Sequence, residues 1–154
     1  MAKGSVHFAS DHAAVSLRHE LIESAQALGF EIVDHGPQKL DSIDYPDQAI
    51  ALAQAMHKEP DSLGVLVCGT GIGMSMTANR FDHLRAAAVS DLFSAQATRA
   101  HNNANVLCMG ARTLGPGLAC AILKVFLSTP FEGGRHARRL SKLPAGFSLG
   151  NDDD

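Results

Sequence analysis

The segment that decides the fold is Leu63-Gly64-Val65-Leu66-Val67-Cys68-Gly69-Thr70-Gly71-Ile72-Gly73. Its first five residues form an apolar run of the kind that a buried parallel strand requires. Alternating glycines follow Cys68 at once, and a helix opens inside them. The backbone N–H groups of such a loop can bind an oxyanion, and the helix directs its positive end to the same place. The segment therefore predicts a strand, an anion-binding turn and a helix, with an ionisable thiol at the turn.

Short apolar runs typical of strands recur on both sides of this segment, and they cover residues 5–10, 30–34, 63–67, 86–89 and 105–109. Apolar residues at helical spacing predict helices over residues 12–28, 47–57, 72–80, 91–102, 118–126 and 134–143, the first of them capped by Asp11. Strands that alternate with helices in this way form βαβ units. The pattern predicts an α/β protein with a three-layer α/β/α, Rossmann-like fold and a five-stranded parallel sheet. In such sheets, ligands bind beyond the carboxyl ends of the strands.

The bulk properties of the chain narrow the classes of protein it could belong to. A length of 154 residues is that of one domain, so residues 1–154 are predicted to form a single domain with a frayed tail over about residues 144–154. A net charge of −3, no tryptophan and one tyrosine argue against a nucleic-acid partner. No apolar run is long enough to span a membrane. Three cysteines without metal-like spacing and the lack of a signal peptide favour a cytoplasmic location.

The three glycines Gly69, Gly71 and Gly73 could also belong to a dinucleotide-binding turn. That turn has the pattern G-x-G-x-x-G, which would require a glycine where Met74 stands. It also normally follows the first strand, whereas this loop follows the third. An oxyanion site is therefore favoured over a nicotinamide site, and no cofactor is expected.

Cys68, His12 and His101 are the side chains that could carry reactive protons. A thiol beside the N-terminus of a helix ionises more readily than a free thiol, so Cys68 is a candidate nucleophile or general base. Cys108 and Cys120 are flanked by apolar residues and are expected to be inert. His12 follows the first strand and His101 ends a helix, and both could act as acid or base near neutral pH. No metal-ligand spacing is present, and no metal is expected.

A basic run near the end of the chain contains Arg135 and Arg139, which are four residues apart and share one face of a helix. Two guanidinium groups on one face suit a phosphate dianion. The residues together favour a small phosphorylated substrate whose reaction passes through a negatively charged oxygen. Formation of an enediolate and acyl transfer to Cys68 both fit, and the spacing alone does not separate them.

Several motifs in order along residues 5–143 resemble those of type B ribose-5-phosphate isomerases. The wider group also includes isomerases of allose, galactose and erythrulose phosphates. The motifs are Ser10-Asp11-His12-Ala13, Asp44-Tyr45-Pro46-Asp47, Cys68-Gly69-Thr70-Gly71-Ile72-Gly73, Ala78-Asn79, His101-Asn102, Ala104-Asn105-Val106-Leu107 and Glu132-Gly133-Gly134-Arg135-His136. The resemblance implies a metal-free aldose–ketose isomerase that interconverts ribose 5-phosphate and ribulose 5-phosphate through a cis-enediolate.

The resemblance also implies a role for each matching residue. Cys68 would move the proton between C1 and C2, and His101 would assist ring opening with Asp11 nearby. Thr70 and the backbone of Gly69, Gly71, Ile72 and Gly73 would hold the enediolate oxygens. Phosphate contacts would come from His12, Arg112, Arg135 and Arg139, and sugar contacts from Asp11, Tyr45 and Asn102, with His136 as a further candidate.

One branch of the family uses a glutamate base at the position of Met74, so the chain resembles the cysteine-type branch. It departs from the family pattern at Ala14 and Asn103, which stand where the family has glycine and aspartate. The family forms dimers, or dimers of dimers, with shared sites. The same assembly is expected here, with His101, Asn102 and Arg112 supplied by the chain opposite Cys68. The alternatives are an isomerase of erythrulose 4-phosphate, allose 6-phosphate or galactose 6-phosphate, and a non-catalytic sugar-phosphate sensor.

Overall fold

A computed structural model describes residues 3–145 of the chain. The strands are β1 (Ser5–Ser10), β2 (Glu31–Asp34), β3 (Leu63–Cys68), β4 (Ala86–Ala88) and β5 (Val106–Gly110). The helices are α1 (Val15–Ala27), α2 (Tyr45–Lys58), α3 (Ile72–Ala78), α4 (Leu92–Ala100), α5 (Pro116–Ser128) and α6 (Arg135–Leu140). A 3₁₀ turn over His12–Ala14 joins β1 to α1. Residues 146–154, which make up most of the predicted tail, lie outside the described residues.

The five strands form one parallel sheet in the order β2-β1-β3-β5-β4. Helices α1, α4 and α5 pack on one face of it, and α2 and α3 pack on the other. In β3, Val65 and Val67 face the first layer while Leu66 and Cys68 face the second. A strand covered on both faces needs apolar residues at every position, which explains the uninterrupted run at residues 63–67. The predicted α/β fold is confirmed.

Local capping shifts several helix boundaries from their predicted positions. Helix α2 begins at Tyr45 rather than at residue 47, because Pro46 suits the first turn of a helix. Helix α4 begins at Leu92 rather than at residue 91, because the carboxylate of Asp91 caps it by accepting the Ser94 N–H at 2.7 Å. It ends at Ala100, two residues before its predicted end.

Helix α3 ends at Ala78 rather than at residue 80, and the side chain of the next residue, Asn79, pairs with the backbone of β4. The Asn79 side-chain amide donates to the backbone oxygen of Ala86 and accepts from its N–H, both at 2.8 Å. A side chain thus pairs with the edge strand β4 as a neighbouring strand would. Helix α6 ends at Leu140 instead of residue 143.

The two cysteines outside the glycine segment lie in apolar surroundings, as predicted. Cys108 on β5 is completely buried, and Cys120 on α5 is half-buried. Burial raises the pKa of both thiols, which favours their neutral form. None of the helices between residues 3 and 145 is long and apolar enough to cross a membrane.

Candidate active site

The carboxyl ends of β1 and β3 and the turn after β5 form one continuous backbone surface. The Asp11 N–H donates to the Val67 oxygen at 3.1 Å, and the Ala111 N–H donates to the Cys68 oxygen at 2.8 Å. The Arg112 N–H donates to the Gly69 oxygen at 3.0 Å. These bonds fix the start of the glycine loop at the middle of the sheet, which is where an open α/β fold binds its ligands.

The thiol of Cys68 points into the first turn of the glycine loop. It is only 5% exposed, and its Sγ accepts the Gly71 N–H at 3.1 Å. Gly71 has a φ of +78°, and a Cβ there would lie 2.9 Å from the backbone nitrogen and carbonyl carbon of Met109. The loop therefore packs directly against β5, and the Gly71 N–H donates to the sulfur.

The exposed hydroxyl of Thr70 stands at the mouth of the same loop and accepts the Ile72 N–H at 3.3 Å. The N–H groups of Gly71 and Ile72 are therefore engaged within the loop. The ring of Tyr45 lies against Gly73, where a Cβ would approach it to within 2.5 Å. Glycine at position 73 thus allows the tyrosine of α2 to reach the start of α3.

Arg112 lies beside Gly69 of its own chain. A Cβ at Gly69 would stand 3.5 Å from Arg112 Cδ and 3.7 Å from Nη1. The expectation that Arg112 comes from the chain opposite Cys68 is therefore wrong. The register of β3 and β5, which pairs Cys68 with Gly110, brings Arg112 to this place two residues further on.

Asp11 and His12 complete this side of the site. The Asp11 carboxylate caps the 3₁₀ turn by accepting the Ala13 N–H at 3.0 Å. His12 Nδ1 accepts the Ile43 N–H at 3.1 Å, so its ring proton is assigned to Nε2. We call Asp11, His12, Tyr45, residues 68–73 and Arg112 the thiol cluster.

A second group of predicted residues lies around the end of α4. The rings of His101 and His136 are stacked, with centroids 4.3 Å apart and planes 11° from parallel. A carboxylate oxygen of Glu132 lies 3.9 Å from His101 Nε2 and 3.4 Å from His136 Nε2. Burial and the nearby His101 lower the pKa of His136. We call His101, Glu132 and His136 the histidine cluster.

His101 and His136 line an open cavity of about 1130 Å³, together with Asn102 and Arg139. Arg135, the first residue of α6, is exposed and is not among the residues lining it. Sequence reasoning placed Glu132 in a motif but gave it no role. Its position four residues before His136 is the signal that could have identified it.

Within one chain, the thiol cluster lies at the carboxyl ends of the strands and the histidine cluster lies near their amino ends. Helix α4 starts near the carboxyl end of β4 and runs back for nine residues, which corresponds to about 13 Å. His101 therefore lies near the start of β5, and Asp11 lies at the end of β1. Because His101 is expected from the opposite chain, its proximity to Asp11 stays a prediction about an assembly of two chains.

Sequence reasoning also missed two buried polar groups. Arg18 is fully buried; it donates to the Ser10 hydroxyl and the Pro37 oxygen and lies 3.1 Å from Asp34. Arg18 therefore holds the loop after β2 next to Ser10, the residue before Asp11. The ring of His7 is also buried and lies between His35 and Glu59, at 2.9 and 3.2 Å. A lone arginine on a helix, or a histidine in a strand, gives no sequence signal of such burial.

Comparisons with known proteins show the family of this chain. The family model for Ribose/Galactose Isomerase matches residues 6–143. A putative sugar phosphate isomerase of Bacillus subtilis is 46% identical over 139 residues, which are 90% of this chain and 93% of that protein. Ribose-5-phosphate isomerase B of Escherichia coli is 38% identical over 140 residues, covering 91% and 94%.

Solved structures agree with these sequence relatives. The structure of ribose-5-phosphate isomerase B from Mycoplasma genitalium, which contains bound ribulose 5-phosphate, superimposes with a TM-score of 0.89. It is 39% identical, and the match covers 92% of this chain and 95% of that one. The enzyme from Thermotoga maritima is 43% identical with a TM-score of 0.86, covering 90% and 95%.

Proposed function

Because the chain belongs to the ribose/galactose isomerase family, we propose that it interconverts ribose 5-phosphate and ribulose 5-phosphate through a cis-enediolate. The family resemblance and the class of enzyme, a sugar-phosphate aldose–ketose isomerase, are confirmed by its relatives. The observation that carries the proposal is the thiol of Cys68, held by the Gly71 N–H at the glycine turn. Such a group can take a proton from carbon beside a carbonyl and return it to the next carbon.

Cys68 is the base in this proposal because Met74 stands at the position where one branch of the family that the chain resembles has a glutamate base. Met74 is fully buried among the side chains of α2, α3 and β5, and a thioether cannot accept a proton at neutral pH. The thiolate of Cys68 would remove the proton from C2 of the open-chain aldose. Charge would then develop on the carbonyl oxygen, and the Thr70 hydroxyl would donate a hydrogen bond to it. The N–H groups of Gly71 and Ile72 would take part only by exchanging their present partners in the loop for the substrate oxygen.

The complete site in this proposal is built from two chains, because the thiol and histidine clusters lie apart in one chain. A dimer, or a dimer of dimers, would bring His101 and Asn102 of one chain to Cys68 of the other. The phosphate would lie between His12 and Arg112 on one side and Arg135 and Arg139 on the other. Exposed apolar side chains support an interface near the thiol cluster, since Met76 on α3 is 65% exposed and Phe93 on α4 is 78% exposed.

Replacing the thiol tests the proposed base. Cys68→Ala is expected to abolish isomerisation of ribose 5-phosphate and the exchange of its C2 proton with deuterated water, while sugar-phosphate binding persists. Cys120→Ala is the matched control, because it removes a thiol on α5, on the other side of the fold, and should keep full turnover. Turnover near the wild-type value in Cys68→Ala would refute the proposal. A panel of four-, five- and six-carbon aldose phosphates, compared by kcat/KM, tests the choice of sugar.

Mixing two inactive variants tests the shared site. Cys68→Ala and His101→Ala dimers, unfolded together and refolded in equal amounts, would form mixed dimers that carry one intact site each. Half of the dimers would be mixed, so activity should recover to about a quarter of the wild-type value. Activity that stays at the level of the separate variants would show that Cys68 and His101 of the same chain act in one site.

A further inference from the structure

Arg18 is a charged side chain on the apolar face of α1. It is fully buried, and the residues one turn before and after it, Ala14 and Leu21, belong to the hydrophobic core. Burial lowers the pKa of the guanidinium, and the Asp34 carboxylate 3.1 Å from Nε raises it. Replacing both partners of a buried ion pair by apolar residues is often neutral or stabilising. Stability alone therefore does not account for an arginine at this position.

The guanidinium of Arg18 joins two segments that border the thiol cluster. Its Nη1 donates to the Ser10 hydroxyl at 2.5 Å, and its Nη2 donates to the Pro37 oxygen at 2.6 Å. Ser10 is the last residue of β1, and Pro37 lies in the loop between β2 and α2. The planar guanidinium presents its donors in a fixed fork, which no other side chain reproduces. Arg18 therefore fixes the position of each segment relative to the other.

Ser10 carries this constraint to the backbone of Asp11. The Ser10 hydroxyl donates to the Asp11 oxygen at 3.0 Å, and the Ser10 N–H donates to the Gly36 oxygen at 3.1 Å. Ser10 is completely buried, so water cannot replace these partners. The course of the chain into Asp11 and His12 therefore depends on the residues that hold Ser10.

The loop between β2 and α2 is tied to His12 at its other end. The Ile43 N–H donates to His12 Nδ1 at 3.1 Å, which leaves Nε2 as the donor of the ring. Residues 38–42, between Pro37 and Ile43, are exposed. The position of the loop therefore depends on its two ends, and a shift at Pro37 would also move the partner of the His12 ring.

We propose that Arg18 is a positioning residue for sugar-phosphate binding: it joins Ser10 to Pro37 and thereby orients the His12 ring, with its Nε2–H free to donate to the phosphate. Arg18 itself does not touch the substrate. The identity of the ligand rests on the proposed function. A bond from His12 to the phosphate would be equally strong in the substrate and the transition state. Loss of its position should therefore raise KM and leave kcat nearly unchanged.

Kinetics of ribose 5-phosphate isomerisation by the full-length protein test this proposal. Arg18→Gln should raise KM about tenfold or more, the usual effect of losing one hydrogen bond to a charged group. Its kcat should stay within about threefold of the wild-type value. Ser10→Ala keeps Arg18 and Asp34 and should raise KM in the same way, so it carries the test if Arg18→Gln does not fold. Circular dichroism checks the fold of each variant.

Leu21→Ala is the matched control. It removes a fully buried apolar side chain from the same helix and leaves the hydrogen bonds of Arg18 in place. It should destabilise the protein through the cavity that it creates, with KM at the wild-type value. The control separates a loss of position from a general loss of stability.

The ring of His12 gives a second measurement that does not depend on activity. ¹⁵N NMR at pH 8 should show His12 as a single tautomer, with Nδ1 unprotonated and Nε2 protonated. The spectrum of His12→Gln identifies its signals among those of the eight histidines. In Arg18→Gln the bond from Ile43 should weaken, and the two ¹⁵N shifts should move toward each other as the tautomers mix. Leu21→Ala should leave both shifts unchanged.

An unchanged KM, or unchanged His12 shifts, in both Arg18→Gln and Ser10→Ala would overturn the proposal. A rise in KM of the same size in Leu21→Ala would also overturn it. If the wild-type protein does not isomerise ribose 5-phosphate, the proposed function fails. The His12 shifts, together with the Kd for ribose 5-phosphate from calorimetry, then decide the role of Arg18 on their own.

Discussion

Gly71→Ala is the substitution that most directly tests how the glycine loop is held. Gly71 has a φ of +78°, which costs an L-residue about 1–2 kcal/mol. Its Cβ would also lie 2.9 Å from the backbone of Met109, so either the loop or β5 must move. Overpacking of this kind costs about 1–3 kcal/mol. The free energy of unfolding should therefore fall by about 2–5 kcal/mol, a large part of the 5–15 kcal/mol of an ordinary domain.

Gly29→Ala is the matched control for this substitution. Gly29 ends α1 with a φ of +91°, and a Cβ there would meet nothing within 4 Å. It therefore carries the backbone strain without the contact, and its expected loss is only about 1–2 kcal/mol. The difference between the two variants measures the contact between the loop and β5.

Guanidinium unfolding at one protein concentration measures the free energy of unfolding of both variants. Far-ultraviolet circular dichroism follows the transition, because the chain has no tryptophan whose fluorescence could report it. A second measurement follows the loop itself. Displacing Gly71 removes the N–H that Cys68 Sγ accepts and uncovers a thiol that is 5% exposed. Cys68 should then react faster with an aromatic disulfide reagent. Equal stability losses in Gly71→Ala and Gly29→Ala, with unchanged reactivity of the Cys68 thiol, would refute the idea that packing against β5 holds the loop in place.

Three further predictions concern the polar groups that fix the fold around the site. Arg18→Leu should cost about 3 kcal/mol by denaturant titration, because it leaves Asp34 and a backbone oxygen without their buried partner. Asn79→Ala should cost about 1–3 kcal/mol through loss of both bonds to β4, and Asn79→Asp, which keeps the acceptor, should cost less. Burial and the neighbouring His7 lower the pKa of His35 below 6.5, so the folded chain binds fewer protons than the unfolded chain. Stability should therefore fall as the pH drops below about 6.5, by at most about 1.4 kcal/mol per pH unit for this group, and His35→Gln should flatten that dependence.

The thiol cluster could be predicted from the sequence in large part because its key features are local. An apolar run that ends in Cys68 and glycines defines a strand, a turn and a helix start without reference to the rest of the chain. The sequence also placed Asp11 and His12 directly after the first strand, whereas Tyr45 was a candidate only through the family resemblance. Their roles toward a substrate stay predictions.

The histidine cluster was only half predictable. His101 and His136 stood in recognisable motifs, but nothing in their spacing of 35 residues indicated that the two rings stack. Glu132 places a carboxylate oxygen 3.9 Å from His101 Nε2. The sequence did not reveal this contact, because the two residues belong to segments that meet only in the folded chain.

The sequence by itself determined the elements, the parallel sheet and the place of Cys68 at the end of a strand, since hydrophobic period and glycine pattern act over a few residues. The tertiary structure decided which of these ends meet. It placed β5 beside β3, so that Arg112 lies over Gly69 of its own chain, and it carried His101 toward the amino ends of the strands, away from Cys68. Strand order and the direction of the connecting helices fix those distances, and both depend on contacts between segments far apart in the chain.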